Sequence, residues 1–489
     1  MNRRDFLKAS GVILALPSFA LSAKEVPASH AEPNRSAVVA IDFSARIGVL
    51  RPLHGVNKGP LVGGGLVDLT EPLKALRIPW TRLHDCHFPN PEVVDMNVVF
   101  PRPEADPALE FGYDFARTDR YLEGIRAIGS GIVYRLGQSI EHDPVKKWVH
   151  PPADPSRWAQ ACLGIIRHYN EGWANGFHFG IPYWEIWNEP ENRPLMWTGD
   201  DEQFFTLYRA ASRAIKEKFP QLKVGGPAIG GTGSCTEGAF QESPSLKKFL
   251  DLCQRESLPL DFFSWHCYTD NPREVSARAR AIRDSLDARG FTKTESHLNE
   301  WNYLPDNSWL PLSRETPAAE RQRAYEKMAG PNGAAFIAAA LIELQDSPVE
   351  MANLFHAETG AFGLFGEQGV PYANYYGLLA FAQLLETPQR VKVMFAETHD
   401  LWCAAGVSID GKKASLLLSN LEQAPKAIEL SVEGLTGEDG YFEAQRFGSI
   451  GGPKTVERGR FKAGKCKLSL TVPAASLTLI SFSEKRDPK

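Results

Sequence analysis

Cysteine is scarce and scattered in this chain. Seven occur in 489 residues, an odd number with no CxxC pair and no Cys/His spacing of a zinc site. Neither a disulfide framework nor a structural metal is expected. Basic runs are missing too: 54 Lys and Arg stand against 59 Asp and Glu, a net charge of −5, which speaks against a nucleic-acid partner. Gly63-Gly64-Gly65 lacks the spacing and the following Lys-Ser/Thr of a phosphate loop, so no cofactor is expected. The apolar run from Gly11 to Ala23 falls short of the roughly 20 residues that span a membrane. What is left, 43% apolar and 23% charged residues, is the composition of a soluble globular protein. At this length two domains are expected rather than one core.

The first residues read as a targeting segment. Asn2-Arg3-Arg4-Asp5-Phe6-Leu7-Lys8 resembles the twin-arginine export motif, and the apolar run follows it directly. Small residues at Ala20, Ser22 and Ala23 suit a signal peptidase, and no cysteine lies nearby to carry a lipid. The expectation is a signal peptide over 1–23, a loose linker over 24–36, and a periplasmic or secreted protein without a membrane anchor.

The chain is organised around Tyr183-Trp184-Glu185-Ile186-Trp187-Asn188-Glu189-Pro190. An aromatic and β-branched run ends in Asn-Glu-Pro, and proline, lacking an N–H, stops the strand. Alternation then puts Glu185, Trp187 and Glu189 on one face, with Glu189 at the carboxyl tip. Seven similar short strands flank it: Leu53–Asn57, Trp80–Asp85, Gly131–Arg135, Leu222–Pro227, Asp261–His266, His297–Glu300 and Met351–Phe355. Helical patterns separate many of them, over Leu69–Leu76, Phe115–Ile128, Ser156–Tyr169, Asp201–Lys218 and Gly333–Leu344. A last helix over Tyr375–Leu385 would close the ring. The pattern predicts an α/β fold, a (β/α)8 barrel over 47–385. Beyond Glu386, short strands divided by turn signals such as Asp410-Gly411 predict an antiparallel β-sandwich over 386–487. Residues 37–46 are expected to join it, and its role is read as a structural cap, with carbohydrate binding as the alternative. The polar, proline-punctuated stretch from Tyr303 to Gly330 is read as a long loop walling the cleft.

Two carboxylates carry the chemistry. Glu189 ends the fourth strand and Glu300 the seventh, on nearly opposite sides of an eight-stranded barrel, so both reach over its mouth. Cleaving a glycosidic bond with retention needs such a pair about 5–5.5 Å apart. Trp184 to Pro190 resembles the acid/base motif of clan A glycoside hydrolases, most closely family 39, and Asn299-Glu300-Trp301-Asn302 resembles that family's nucleophile segment. The resemblance implies a barrel with an attached β-sandwich, an oligosaccharide or polysaccharide substrate, Glu189 as acid/base, Glu300 as nucleophile, and Asn188 as donor to the sugar 2-hydroxyl. The family includes β-xylosidases and α-L-iduronidases.

Around this pair, Arg82 is expected either to hold Glu300 ionised or to pair with Glu185 inside the barrel. His266 and Tyr268 are read as donors to Glu300 or to sugar hydroxyls. His84, Asp85, Asn57 and Trp301 are candidate sugar contacts, and Glu358 is a third acid for substrate hydroxyls. Lys58 either selects an anionic sugar or is a solvated loop lysine. A carbohydrate-binding protein on the same barrel would share much of this pattern, but the presence of both carboxylates argues against it. A transglycosylase would use the same two residues.

Overall fold

A computed structural model describes residues 36–484 except 89–91, 237–238, 314, 396–399, 438 and 449–450. The predicted signal peptide and most of the linker lie outside the described residues. Eight parallel strands close into a barrel: Gly55–Asn57, Trp80–Leu83, Gly131–Leu136, Tyr183–Ile186, Lys223–Ile229, Phe262–Thr269, Glu295–Tyr303 and Met351–Leu354, each paired with the next and the last with the first. They coincide with the eight runs read from sequence, shifted by a few residues at their ends.

The helices between them are set by local chemistry. Asp154 accepts the backbone N–H groups of Ser156 and Arg157 at the start of Pro155–Glu171, and Gly172 ends it in the left-handed region at φ 75°. Asp200 and Gln203 form a reciprocal capping box on Asp201–Lys218. Ser243-Pro244 and Asn271-Pro272 start two helices that the sequence pattern did not yield, Pro244–Glu256 and Pro272–Asp287. The stretch after Tyr303 is a loop only as far as 317. It then forms the helix Ala318–Ala329, so the expected long loop is about half its predicted length. That helix keeps only Ala324 and Met328 buried, which is why its pattern reads as polar.

The C-terminal strands form one nine-stranded sheet instead of two separate layers. Its order is Lys454–Lys462, Asp439–Phe447, Ser476–Ser483, Lys413–Asn420, Leu401–Val407, Gln389–Phe395, Ala37–Val49, Lys426–Glu433, Cys466–Val472. Ala37–Val49 enters from the other end of the chain, runs parallel to Lys426–Glu433, and is the single exception to antiparallel pairing. The two edge strands approach each other, so the sheet curls over its own core of Val39, Ile41, Leu416, Leu430 and Phe482.

The helix Pro331–Glu343 joins barrel and sheet. Every residue from Ala334 to Leu341 is wholly buried, as a helix apolar all round must be. One side meets the barrel strand Glu295–Tyr303 and the other meets three strands of the sheet. Ser419 donates to the Ala335 carbonyl, and the Trp402 indole donates to Glu343. Burying Phe336, Ile337 and Leu341 stabilises by roughly 1.5–3 kcal/mol each, so the sheet covers a face the barrel cannot leave in water.

Candidate active site

The fourth strand stops at Ile186, before the polar residues. Trp187 and Glu189 both take left-handed backbone, at φ 69° and 42°. Bulky residues seldom adopt this region, and where they do the surroundings over-determine it. Here the Trp187 ring packs between Trp158 and Trp197, at 6.3 and 4.9 Å, and its indole donates to the Met196 carbonyl. Trp187 therefore does not share a face with Glu185, contrary to the alternation read from sequence: the pleat ends one residue earlier. The Glu189 N–H donates to the carbonyls of Pro227 and Ala228, which fixes the turn and aims its carboxylate into the barrel mouth. Gly230 leaves the room: a Cβ there would stand 2.3 Å from Glu189 Oε1.

The seventh strand delivers the partner. Pairing with the sixth strand slips between Trp265–Leu298 and His266–Glu300, a bulge that turns His266 and Glu300 inward together. Trp301, next along, points outward to Phe336 and is fully buried. The sugar contact proposed for it is thus corrected by strand alternation.

One carboxylate oxygen of Glu189, one of Glu300 and a ring nitrogen of His266 lie within 4.8 Å of one another. His266 Nδ1 is 2.8 Å from Glu189 Oε1 and 3.6 Å from Glu300 Oε2. Tyr268 donates its hydroxyl to Glu300 Oε2 at 2.8 Å. Arg82 makes both of the contacts considered for it, to Glu185 at 2.6 Å and to Glu300 at 2.8 Å, and also donates to Asn188 Oδ1 at 2.6 Å. The Glu185 carboxylate accepts the Asn299 amide as well and sits wholly buried below the site.

Burial pushes the Glu189 carboxyl up, but the His266 N–H, the Asn192 amide and Arg82 outweigh it and hold it below its ordinary value. Burial disfavours a charge on His266, yet Glu300 and Glu189 raise it, so the proton of that pair rests on the ring. Burial lifts the Glu300 carboxyl, against the cations His266 and Arg82 and with the charge of Glu189. His84, 3.7 Å from Glu300, is held neutral by burial and by Arg82.

A cavity of about 760 Å3 opens over these groups. Of the residues singled out in the sequence, Glu189, Glu300, Asn188, His84, Asp85, His266 and Tyr268 line it. Arg82 lies beneath. Asn57 is fully buried, spending its amide on the Asn299 and Asn353 carbonyls and its oxygen on Arg82, so it is a floor strut and no sugar contact. Lys58 is neither solvated nor in the cleft: its ammonium is buried 3.7 Å from Glu358 and above the Phe355 ring. Glu358 also accepts the Tyr121 hydroxyl and faces His87, which leaves it no part in holding substrate hydroxyls.

Glu191, Trp309, Phe355 and Phe362 are among the lining residues that escaped the sequence reading. Glu191 accepts the N–H groups of Gly230 and Gly231. Burial, with Glu189 beside it, pushes its carboxyl up to about 7. Its place two residues beyond Glu189 was the available signal. No other group of three or more His, Cys, Asp or Glu among the described residues is close enough to hold a metal than Glu189, His266 and Glu300.

A barrel that brings two carboxylates from opposite strands together over an open cleft, with an arginine beneath one and a histidine on the other, defines the class of barrel glycosidases. The chain belongs to that class by sequence as well: residues 103–401 match the family described as Glycosyl hydrolases family 39, and the protein is a member of it. It is 29% identical over 247 residues to a beta-xylosidase of Caldicellulosiruptor saccharolyticus, covering 47% of this chain and 44% of that one. To a beta-xylosidase of Geobacillus stearothermophilus it is 23% identical over 320 residues, covering 58% and 59%. The chain thus matches about half of each curated relative's length. The fold is similar to the solved structure of a glucosidase from Croceicoccus marinus, at a TM-score of 0.78 and 23% identity over 93% of this chain and all of that one.

Proposed function

We propose that the protein is a retaining glycosidase, β-xylosidase-like, that cleaves oligosaccharides by double displacement. The observation that carries this is the separation of the two carboxylates, within 4.8 Å at their nearest ligand atoms, close to the roughly 5–5.5 Å of retaining enzymes and short of the ~6.5 Å that inversion requires. Glu300 attacks the anomeric carbon while the glycosidic C–O bond breaks. Arg82, Tyr268 and His266 favour its ionised form. The leaving oxygen takes the proton of Glu189, which His266 supplies along their 2.8 Å bond. Once Glu300 is esterified, one of the two charges that keep His266 cationic is gone, and Glu189 is left as an anion. It then removes a proton from water, whose oxygen attacks the glycosyl ester and releases Glu300. Proton NMR of the first-formed product from an aryl β-xyloside tests the reading. A retained anomer is expected; an inverted one would mean that water, and not Glu300, is the nucleophile.

Export by the twin-arginine route to the periplasm or medium belongs to the same proposal, supported by Arg3-Arg4 and the apolar run behind them. Lysine at both positions should strand the precursor in the cytoplasm, and normal export of that variant would refute the route.

A further inference from the structure

Phe362 is a bulky residue in the left-handed region, at φ 64°. Its carbonyl is pinned there by the His356 N–H and the Asn302 amide. Such backbone tends to occur at ligand clamps. The ring belongs to two cavities. On one side it meets Trp309, Tyr268 and Phe355, at 6.0, 6.1 and 6.2 Å, around the catalytic cleft. On the other it stands edge-on to Tyr325 at 5.8 Å, in the wall of a second cavity of about 790 Å3.

The chemistry of that second cavity is specific. Half-buried Tyr325 and Tyr372 offer ring surface, while Gln322, Glu326 and Glu367 stand exposed at its rim. Among the described residues that line it there is no Lys or Arg. Aromatic faces take the C–H face of a pyranose, and carboxylates and amides take its hydroxyls. With acids and no cation, the cavity suits a neutral sugar and repels a uronate or phosphate.

Topology gives its direction. Glu189 follows the fourth barrel strand, and the loop that carries Phe362 follows the eighth, directly across the ring. The acid must face the leaving oxygen, so the leaving group lies on the fourth-strand side. Whatever extends past Phe362 is attached to the non-reducing end of the sugar being transferred. We propose that the second cavity is a subsite for a neutral sugar on that non-reducing side, so that the protein recognises a disaccharide unit instead of a terminal monosaccharide. This rests on the glycosidase reading above.

The test compares p-nitrophenyl β-xyloside with p-nitrophenyl β-xylobioside, and the glucoside with the cellobioside. In the sugar that is turned over, kcat/KM should be about tenfold or more higher for the bioside, the scale of a well-filled pocket contact. Tyr325→Ala and Gln322→Ala should erase most of that gain while leaving the monoside rate unchanged, which also reports an intact fold. Equal kcat/KM for both members of a pair overturns the subsite but leaves the hydrolase reading standing. So do variants that lower both members alike. Turnover of neither pair refutes the β-xylosidase-like reading and the subsite with it.

Discussion

Arg82 is the residue whose loss should cost most for the least change in volume. Its guanidinium is wholly buried and reaches Glu185, Glu300 and the oxygens of Asn188 and Asn57. Burial works against its charge, and the two carboxylates more than offset that. Arg82→Met keeps most of the packing and removes the one cation that Glu185 contacts among the described residues, leaving a wholly buried carboxylate held by the Asn299 amide. Breaking a buried ion pair in this one-sided way costs about 3–5 kcal/mol. In a chain of 489 residues that lowers Tm by roughly 3–5 °C. The sign with pH follows. A buried carboxylate without a counter-charge is tolerated better protonated than ionised, so the penalty of stranding one shrinks as pH falls. The deficit relative to wild type should therefore be smaller at pH 5 than at pH 7. Adding Glu185→Gln removes the stranded charge and should recover part of the loss. Thermal unfolding of the three proteins at both pH values checks this. A deficit that ignores pH, or a double variant no more stable than Arg82→Met, would show that lost packing and not uncompensated charge is responsible.

Other expectations concern the chemistry. Glu300→Gly should be inactive on every glycoside, with azide restoring turnover and giving a glycosyl azide of inverted configuration. Glu189→Ala should still glycosylate on activated aryl substrates and stall there, with azide giving the retained product; identical behaviour of the two variants would contradict their separate roles. The Glu191 carboxyl is lifted from 4.5 to about 7, so the folded state holds an extra proton between those values and stability should fall as pH rises through that window. Glu191→Gln should flatten the fall in a Tm–pH profile, and an unchanged slope would refute the assignment. Dialysis against a chelator should leave activity intact, because Arg82 and His266 already supply the positive charge that Glu300 and Glu189 face; a loss reversed by a divalent ion would overturn this.

What the sequence made legible was what local pattern encodes. Eight short apolar runs with polar tips are a barrel's own period, and Asn-Glu-Pro marks a strand end whatever the fold around it. Two of the helices missing from the sequence pattern begin at Ser243-Pro244 and Asn271-Pro272, cap-and-proline starts that Asp154-Pro155 displays just as plainly. The errors at the site are of another kind. Asn57, Lys58, Glu358 and Trp301 are polar or aromatic residues at the right height on the barrel, and each is taken up by a partner distant in sequence. Lys58 and Glu358 consume each other's charge across the junction of the first and eighth strands, so neither is left for a sugar. A charged side chain at a strand tip is a candidate ligand only while its counter-charge is unknown, and the closure of the ring, which joins the ends of the barrel sequence, decides that counter-charge. Glu189 and Glu300 survive the same test because their neighbours, His266, Tyr268 and Arg82, are donors that orient the carboxylates and still leave the cavity open above them.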